Sequence, residues 1–235
     1  TKDAHLPAEK LLLMTEQALL KAKEQHHDKI FLFNDELQDK LRVELQLEHD
    51  LSIALKQDQL ELYYQPQIDA VSGQVTGVEA LVRWHHPTMG FLQPGQFIPL
   101  AEKTGQIVEL GNVVLTKACA TLREWGLNGI NDVTMAVNVS PRQFALENTT
   151  NDIKTIIEHS GVNPNKLILE ITEDVFLSDN IFLQSTLNKL KETGIKLSLD
   201  DFGTGFSSLS YLQKYPLDVL KIDRAFVKNM AEKSD

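Results

Sequence analysis

Lys196-Leu197-Ser198-Leu199-Asp200-Asp201-Phe202-Gly203-Thr204-Gly205 is a short apolar run that ends in two adjacent carboxylates and a glycine-broken loop. Consecutive strand residues point to opposite faces. Two neighbouring aspartates can therefore share one task only where the strand is ending and its backbone is turning into the loop. A bare Asp-Asp pair would read as a solvated strand end with aspartate as turn former. The company this pair keeps along the chain points instead to an active-site rim.

Outward from this stretch, the chain alternates strands and helices. Strands are expected at 60–65, 75–84, 133–140, 167–173, 196–201 and 219–223, and helices at 95–104, 111–125, 149–160, 181–192 and 207–214. Only the turn-rich residues 69–73 separate the first two strands, too few for a helical crossover, so that pair should be antiparallel. The later alternation calls for parallel strands with right-handed crossovers. An α/β barrel and an open doubly wound sheet both satisfy this order. The barrel is favoured by where the polar residues fall.

In the second strand Gly77, Glu79, Leu81 and Arg83 share one face. Asn138 and Ser140 share a face in the third, Glu170 and Thr172 in the fourth with Glu173 at its exit, and Lys221 and Asp223 in the sixth. Buried charges must be paired or bound to metal, and barrel enzymes build their active sites at the carboxyl ends of the strands. Glu79, Asn138, Glu170, Asp200 and Asp201 offer oxygen donors without a thiolate, and only His85 and His86 stand near any of them in sequence. That set suits Mg²⁺ or Mn²⁺ over Zn²⁺. Several carboxylates around one pocket fit two metals bridged by an aspartate, in a phosphoester displacement. Lys221 could hold or help deprotonate an attacking water or neutralise developing charge, and Arg83 is placed to grip a phosphate.

The ordered series Tyr63-Tyr64-Gln65-Pro66, Glu79-Ala80-Leu81-Val82-Arg83-Trp84, Asn138-Val139-Ser140, Glu170-Ile171-Thr172-Glu173, Asp200-Asp201-Phe202-Gly203-Thr204-Gly205 and Lys221-Ile222-Asp223 resembles the EAL-type cyclic di-GMP phosphodiesterases. The resemblance implies a modified TIM-type (β/α)8 barrel with an antiparallel first strand. It implies a two-metal site of Mg²⁺ or Mn²⁺ on Glu79, Asn138, Glu170, Asp200 and Asp201, with Asp200 bridging and Lys221 beside the nucleophilic water. Gln65, Leu81, Arg83, Pro94 and Asp223 would contact the dinucleotide, and Glu173 would steady the loop at 202–208, which in the family links the site to dimerisation. The implied reaction is hydrolysis of cyclic di-GMP to linear 5′-pGpG in second-messenger signalling. A catalytically silent cyclic di-GMP receptor is the alternative, distinguished by binding without pGpG; a generic Mg²⁺-dependent lyase or aldolase is a third reading.

The family's last two strands, with an EGVE-like and a QGY-like segment, have no counterpart before Asp235. The barrel is therefore expected to be incomplete, and this chain alone weakly active or inactive. Leu11 to Lys23 resembles the last helix of a GGDEF domain and Ile30 to Phe33 its final strand. The expected organisation is a GGDEF-like remnant at 1–33, a connector helix at 34–56 and the EAL domain at 57–235, with an upstream GGDEF or sensor domain in the parent chain and a homodimer by analogy.

Bulk properties narrow the partners. A formal charge of −10 over 235 residues argues against a nucleic-acid polymer. The single cysteine, Cys119, permits no intrachain disulfide, points to a reducing compartment and should be a buried hydrophobe. His26 and His27 read as solvated loop residues. No apolar run approaches the ~18 residues of a membrane span, and the N-terminus lacks a signal-peptide pattern. A cytoplasmic segment without membrane contact is expected, within a parent that could itself be anchored.

Overall fold

The structure is a computed structural model that describes residues 12, 14–16, 18, 19, 22, 23, 35–146, 148–177, 182–203, 214–225, 227 and 228. The chain divides into two compact units, Thr1–Asp50 and Leu51–Asp235. In the first, the described residues between 12 and 23 are helical, in line with the helix expected over Leu11 to Lys23. The expected strand at 30–33, His26 and His27, and all of the expected helix at 207–214 but Lys214 lie outside the described residues. Helix α1 spans Asp35–Ala54, two residues short of its expected end.

The second unit is built on one sheet. Its strands are β1 (Leu60–Ile68), β2 (Val75–His86), β3 (Gly90–Leu92), β4 (Thr134–Asn138), β5 (Leu167–Thr172), β6 (Lys196–Phe202) and β7 (Val219–Ile222). They are ordered β1-β2-β4-β5-β6-β7, with the short β3 hydrogen-bonded to β2 alone. β1 and β2 are antiparallel, with Gln65 opposite Glu79, and every later neighbour along the path is parallel. The antiparallel start follows from its connection: the Asp69 carboxylate accepts from the backbone N–H groups of Val71 (3.2 Å) and Ser72 (2.6 Å), and Gly73 takes φ +70°. That turn reverses the chain within a few residues. β3 was not legible beforehand, because three residues carry no periodicity.

The helices are α2 (Pro94–Thr104), α3 (Ile107–Leu127), α4 (Pro141–Phe144), α5 (Thr149–Ser160), α6 (Asp174–Leu177) and α7 (Leu183–Glu192). α3 runs longer than its expected 111–125 because Ile107 and Leu110 extend the buried stripe of Val114, Leu115, Ala118, Cys119 and Leu122. α5 buries Ile153 and Ile157, and α7 buries Leu183, Leu187 and Leu190. Opposite them lie the outer-face side chains of β2, Val78, Ala80, Val82 and Trp84, and those of β5 on the same side, Leu167, Leu169 and Ile171. Each fully buried leucine contributes roughly 2 kcal/mol, so this apolar layer holds the sheet and leaves the inner face free to carry charge.

β2 and β7 are separated in the sheet by β4, β5 and β6. At about 4.8 Å per strand a flat sheet would hold them ~19 Å apart, more than a lysine and a glutamate can bridge. Lys221 of β7 nevertheless donates to Glu79 of β2 at 3.1 Å. The sheet is therefore strongly curled, as a barrel wall is, and among the described residues it does not close: β1 and β7 pair on one side only. Val219, Leu220 and Ile222 of β7 are correspondingly 38, 40 and 59% exposed. No helix among the described residues is long and apolar enough to cross a membrane.

Candidate active site

Four strands deliver the site. Glu79 lies mid-way along β2, Glu170 near the end of β5, Asp200 near the end of β6, and Lys221 on β7, all on the inner face of the curl. The ammonium Nζ of Lys221 donates to Glu79 Oε2 at 3.1 Å, Glu170 Oε2 at 2.8 Å and Asp200 Oδ2 at 2.9 Å. Each of the three carboxylates places an oxygen within 4.8 Å of the other two. Two of the second oxygens are also engaged: Asn138 Nδ2 donates to Glu79 Oε1 at 2.8 Å, and the backbone N–H of Asp201 donates to Asp200 Oδ1 at 2.9 Å.

Burial grades these groups. Glu170 is 2% exposed, and burial is the main force pushing its carboxyl up to about 7; Lys221 pulls the other way, while Glu79 and Asp200 raise it further. Burial alone would lower the Lys221 pKa, but its hydrogen bonds to Glu170 and Asp200 outweigh that and raise it, so the side chain is an ammonium. Burial likewise lifts Asp201, with repulsion from Asp200 and Asp223 adding to it. Three carboxylates around one lysine leave an excess of negative charge, and their donor set is all oxygen. That fits a hard divalent cation, and Glu79, Glu170 and Asp200 could hold one.

The adjacent aspartates separate here. The β6–β7 register shifts between Leu199 and Phe202, and Asp201 sits at φ +55°, a left-handed conformation uncommon outside glycine. The bulge lets Asp200 face the cluster while Asp201, exposed, falls outside the convergent group. Asn138 reaches Glu79 through its amide nitrogen. Glu173 accepts from the Gly203 N–H at 3.3 Å, tying the end of β5 to the start of the loop after β6; Thr204 to Ser208 of that loop lie outside the described residues. Asp223, just past β7, accepts from the Ala225 N–H at 2.7 Å.

The substrate-side candidates form a second group along the β1–β2 pair. Gln65 is exposed opposite Glu79, Tyr63 faces Leu81, and Glu61 faces Arg83. The Arg83 guanidinium lies 5.7 Å from the Tyr63 ring centre and donates to the Val82 carbonyl. Pro94 is half-buried as the first residue of α2. His85 and His86 are not in the acidic group: His85 pairs with Glu61 at 2.9 Å, and buried His86 accepts the Thr88 and Met89 N–H groups on Nδ1. Cys119 is fully buried, and burial pushes its thiol up to about 11.

Two supporting devices were missed in sequence. After Asn138 the chain is clamped at Ser140, whose Oγ donates to Glu102 at 2.8 Å and whose N–H donates to Gln143 Oε1 at 3.0 Å. The signal was present, since Ser140-Pro141-Arg142-Gln143 has the spacing of a capping box. Gly111 of α3 makes room for this clamp, because a Cβ there would stand 2.1 Å from Gln143 Nε2. Asp218 is the other device: it binds Lys191 at 2.6 Å and accepts the Leu197 N–H at 2.7 Å, fixing the start of β7 against β6 three residues before Lys221. No local pattern marks it.

A family profile described as EAL domain matches residues 48–235. The chain is 42% identical over 225 residues to the bifunctional diguanylate cyclase/cyclic di-GMP phosphodiesterase MucR of Pseudomonas aeruginosa, covering 96% of this chain and 33% of that protein. It is 40% identical over 222 residues to the cyclic di-GMP phosphodiesterase NbdA of the same organism, covering 94% of this chain and 28% of that one. The chain thus spans about a third of these relatives. Among solved structures it is similar to the PaMucR phosphodiesterase in complex with c-di-GMP, with a TM-score of 0.75 and 46% identity over 81% of this chain and 77% of that one. The EAL enzyme Bd1971, bound to cAMP and cyclic di-GMP, gives 0.76 and 28% over 99% of this chain and 61% of that one.

Proposed function

Because this chain belongs to the EAL domain family, we propose that it carries the acidic centre of a metal-dependent cyclic di-GMP phosphodiesterase, which hydrolyses one phosphodiester of the ring to give linear 5′-pGpG. The observation that supports this most directly is the convergence of Glu79, Glu170 and Asp200, from three strands, on the Lys221 ammonium of a fourth. A sheet curled for packing alone has no reason to gather three carboxylates on its inner face, where they cost desolvation.

Glu79, Asn138, Glu170, Asp200 and Asp201 would hold Mg²⁺ or Mn²⁺, with Asp201 serving a second ion. The bound metal supplies Lewis-acid polarisation of the phosphoryl group and a hydroxide-like nucleophile at neutral pH. The chain's own groups do the rest. Asn138 fixes the Glu79 carboxylate by its bond to Oε1. The Lys221 ammonium meets negative charge as it develops on the phosphoryl oxygens. Arg83, with Gln65 and Leu81 beside it on the β1–β2 pair, grips the non-reacting phosphate; Pro94 and Asp223 line the same mouth. Glu173 holds the Gly203 N–H and with it the loop that leaves the site. Water adds to phosphorus, the bond to the 3′ oxygen breaks, and that oxygen leaves with a proton. A cytoplasmic site of action, residues 1–33 as the tail of an upstream GGDEF-like domain, and a homodimer belong to the same proposal.

The test is product formation. Incubated with cyclic di-GMP and Mn²⁺, this chain is assayed by chromatography for pGpG. Asp200→Asn should lower its turnover at least about a hundredfold, the scale on which a single transition-state contact acts. Turnover retained in Asp200→Asn refutes the metal assignment. Tight binding without pGpG would make the protein a receptor.

A further inference from the structure

The Lys221 ammonium sits among the carboxylate groups that a divalent cation would need. Glu79 Oε1 also accepts from Asn138, and Asp200 Oδ1 from the Asp201 N–H. The remaining oxygens, Glu79 Oε2 and Asp200 Oδ2, are the ones that Nζ contacts, together with Glu170 Oε2. We infer that Lys221 is the built-in counter-cation of this cluster, and that a divalent ion binds by exchange: the ion takes the three carboxylate oxygens and the ammonium swings off them. The inference rests on the metal-dependent reading above.

Charge and access both favour exchange over coexistence. A second cation bonded to the same three oxygens would lie within contact range of Nζ, where like charges repel strongly at the reduced dielectric of a protein interior. The carboxylates themselves stay in place: the Glu170 side chain is only 1% exposed, and the side chains of Glu79 and Asp200 are 18% and 19% exposed. Lys221 is the most exposed of the four, its own side chain 26% open to solvent. Its long side chain therefore has somewhere to go. Without a cation of either kind, three carboxylates would face one another with little water, at a cost that only protonation or separation of the strands could relieve. Lys221 thus does two things: it holds β2, β5, β6 and β7 together in the metal-free chain, and it weakens metal affinity, so that the ion loads only above a threshold concentration.

The experiment uses the 235-residue chain, freed of metal by chelation, and its Lys221→Met variant, with Mg²⁺ titrated by calorimetry at one pH. The variant should bind Mg²⁺ roughly tenfold more tightly, because one unit charge at contact distance supplies about that factor where screening is weaker than in bulk water. Its metal-free melting temperature should fall, and Mg²⁺ should raise it by more than in the parent. Equal or weaker Mg²⁺ binding by Lys221→Met overturns the exchange. Should that variant not fold, ¹⁵N spectra of the lysine ammonium groups in the parent chain decide the matter. One protected signal should be present without Mg²⁺ and lost at saturation; a protected signal that persists unshifted overturns the inference while leaving the metal site standing. No Mg²⁺ binding by either chain would overturn the metal-dependent reading as well.

Discussion

Replacing Glu170 by glutamine keeps its shape and removes a charge that the surroundings resist. Glu170 is 2% exposed and its carboxyl is pushed to about 7 from an ordinary value of 4.5. The folded chain therefore holds this proton more tightly than the unfolded chain does. The stability that goes with it is complete below pH 4.5 and is lost as pH rises through about 7. At about 1.4 kcal/mol per pH unit, the span from 4.5 to 7 amounts to roughly 3 kcal/mol. Glu170→Gln abolishes this dependence. In the metal-free chain at pH 8 the variant should gain up to about 3 kcal/mol over the parent, while at pH 4.5 the two should nearly coincide. For a domain of this size that corresponds to a difference of ~6–12 °C in melting temperature. Urea unfolding of both chains in the presence of chelator, at pH 4.5 and pH 8, reads it directly. A parent at least as stable as the variant at pH 8 would show that Lys221 repays the full burial of the charge, and the reasoning would fail. Mg²⁺ should weaken the advantage, because the variant loses a ligand that the parent keeps.

Three further outcomes follow from the same geometry. Since a metal ligand must be deprotonated, Mg²⁺ affinity of the parent should fall about tenfold for each pH unit below about 7, as the ion displaces one proton from Glu170; calorimetry in buffers of different ionisation enthalpy should show that proton, and an affinity flat between pH 5.5 and 7 would contradict it. Asp218→Ala removes the acceptor of the Leu197 N–H and the partner of Lys191, and should cost about 1–3 kcal/mol, measured by denaturant unfolding; no loss would mean that β7 is positioned by its ladder alone. Gly111→Ala drives a methyl group into the Gln143 side chain, which is 4% exposed and can yield only by releasing the Ser140 N–H. A cost of about 1–3 kcal/mol is expected, measured by denaturant unfolding; a variant as stable as the parent would remove Gln143 from the support of β4.

Much of this protein is set by local pattern. The alternation of apolar strands and amphipathic helices, the short turn after Ile68 and the ordered acidic residues at strand ends determine a mostly parallel sheet with an antiparallel start and a charged face. They do so because side-chain direction in a strand and the length of a connection are local properties of the chain. The tertiary structure decides what happens between strands. It curls the sheet until β7 meets β2 across its inner face, so that Lys221, 142 residues from Glu79, completes a cluster no spacing could specify. It separates two aspartates that are equivalent in sequence, turning Asp200 inward and Asp201 away through a bulge and a positive φ. It also brings to the site Asp218, which no local pattern marks, and the Ser140 clamp, whose local signal concerns only a helix cap. Each of these depends on distance through space, and the chain fixes that distance only once its apolar faces have packed.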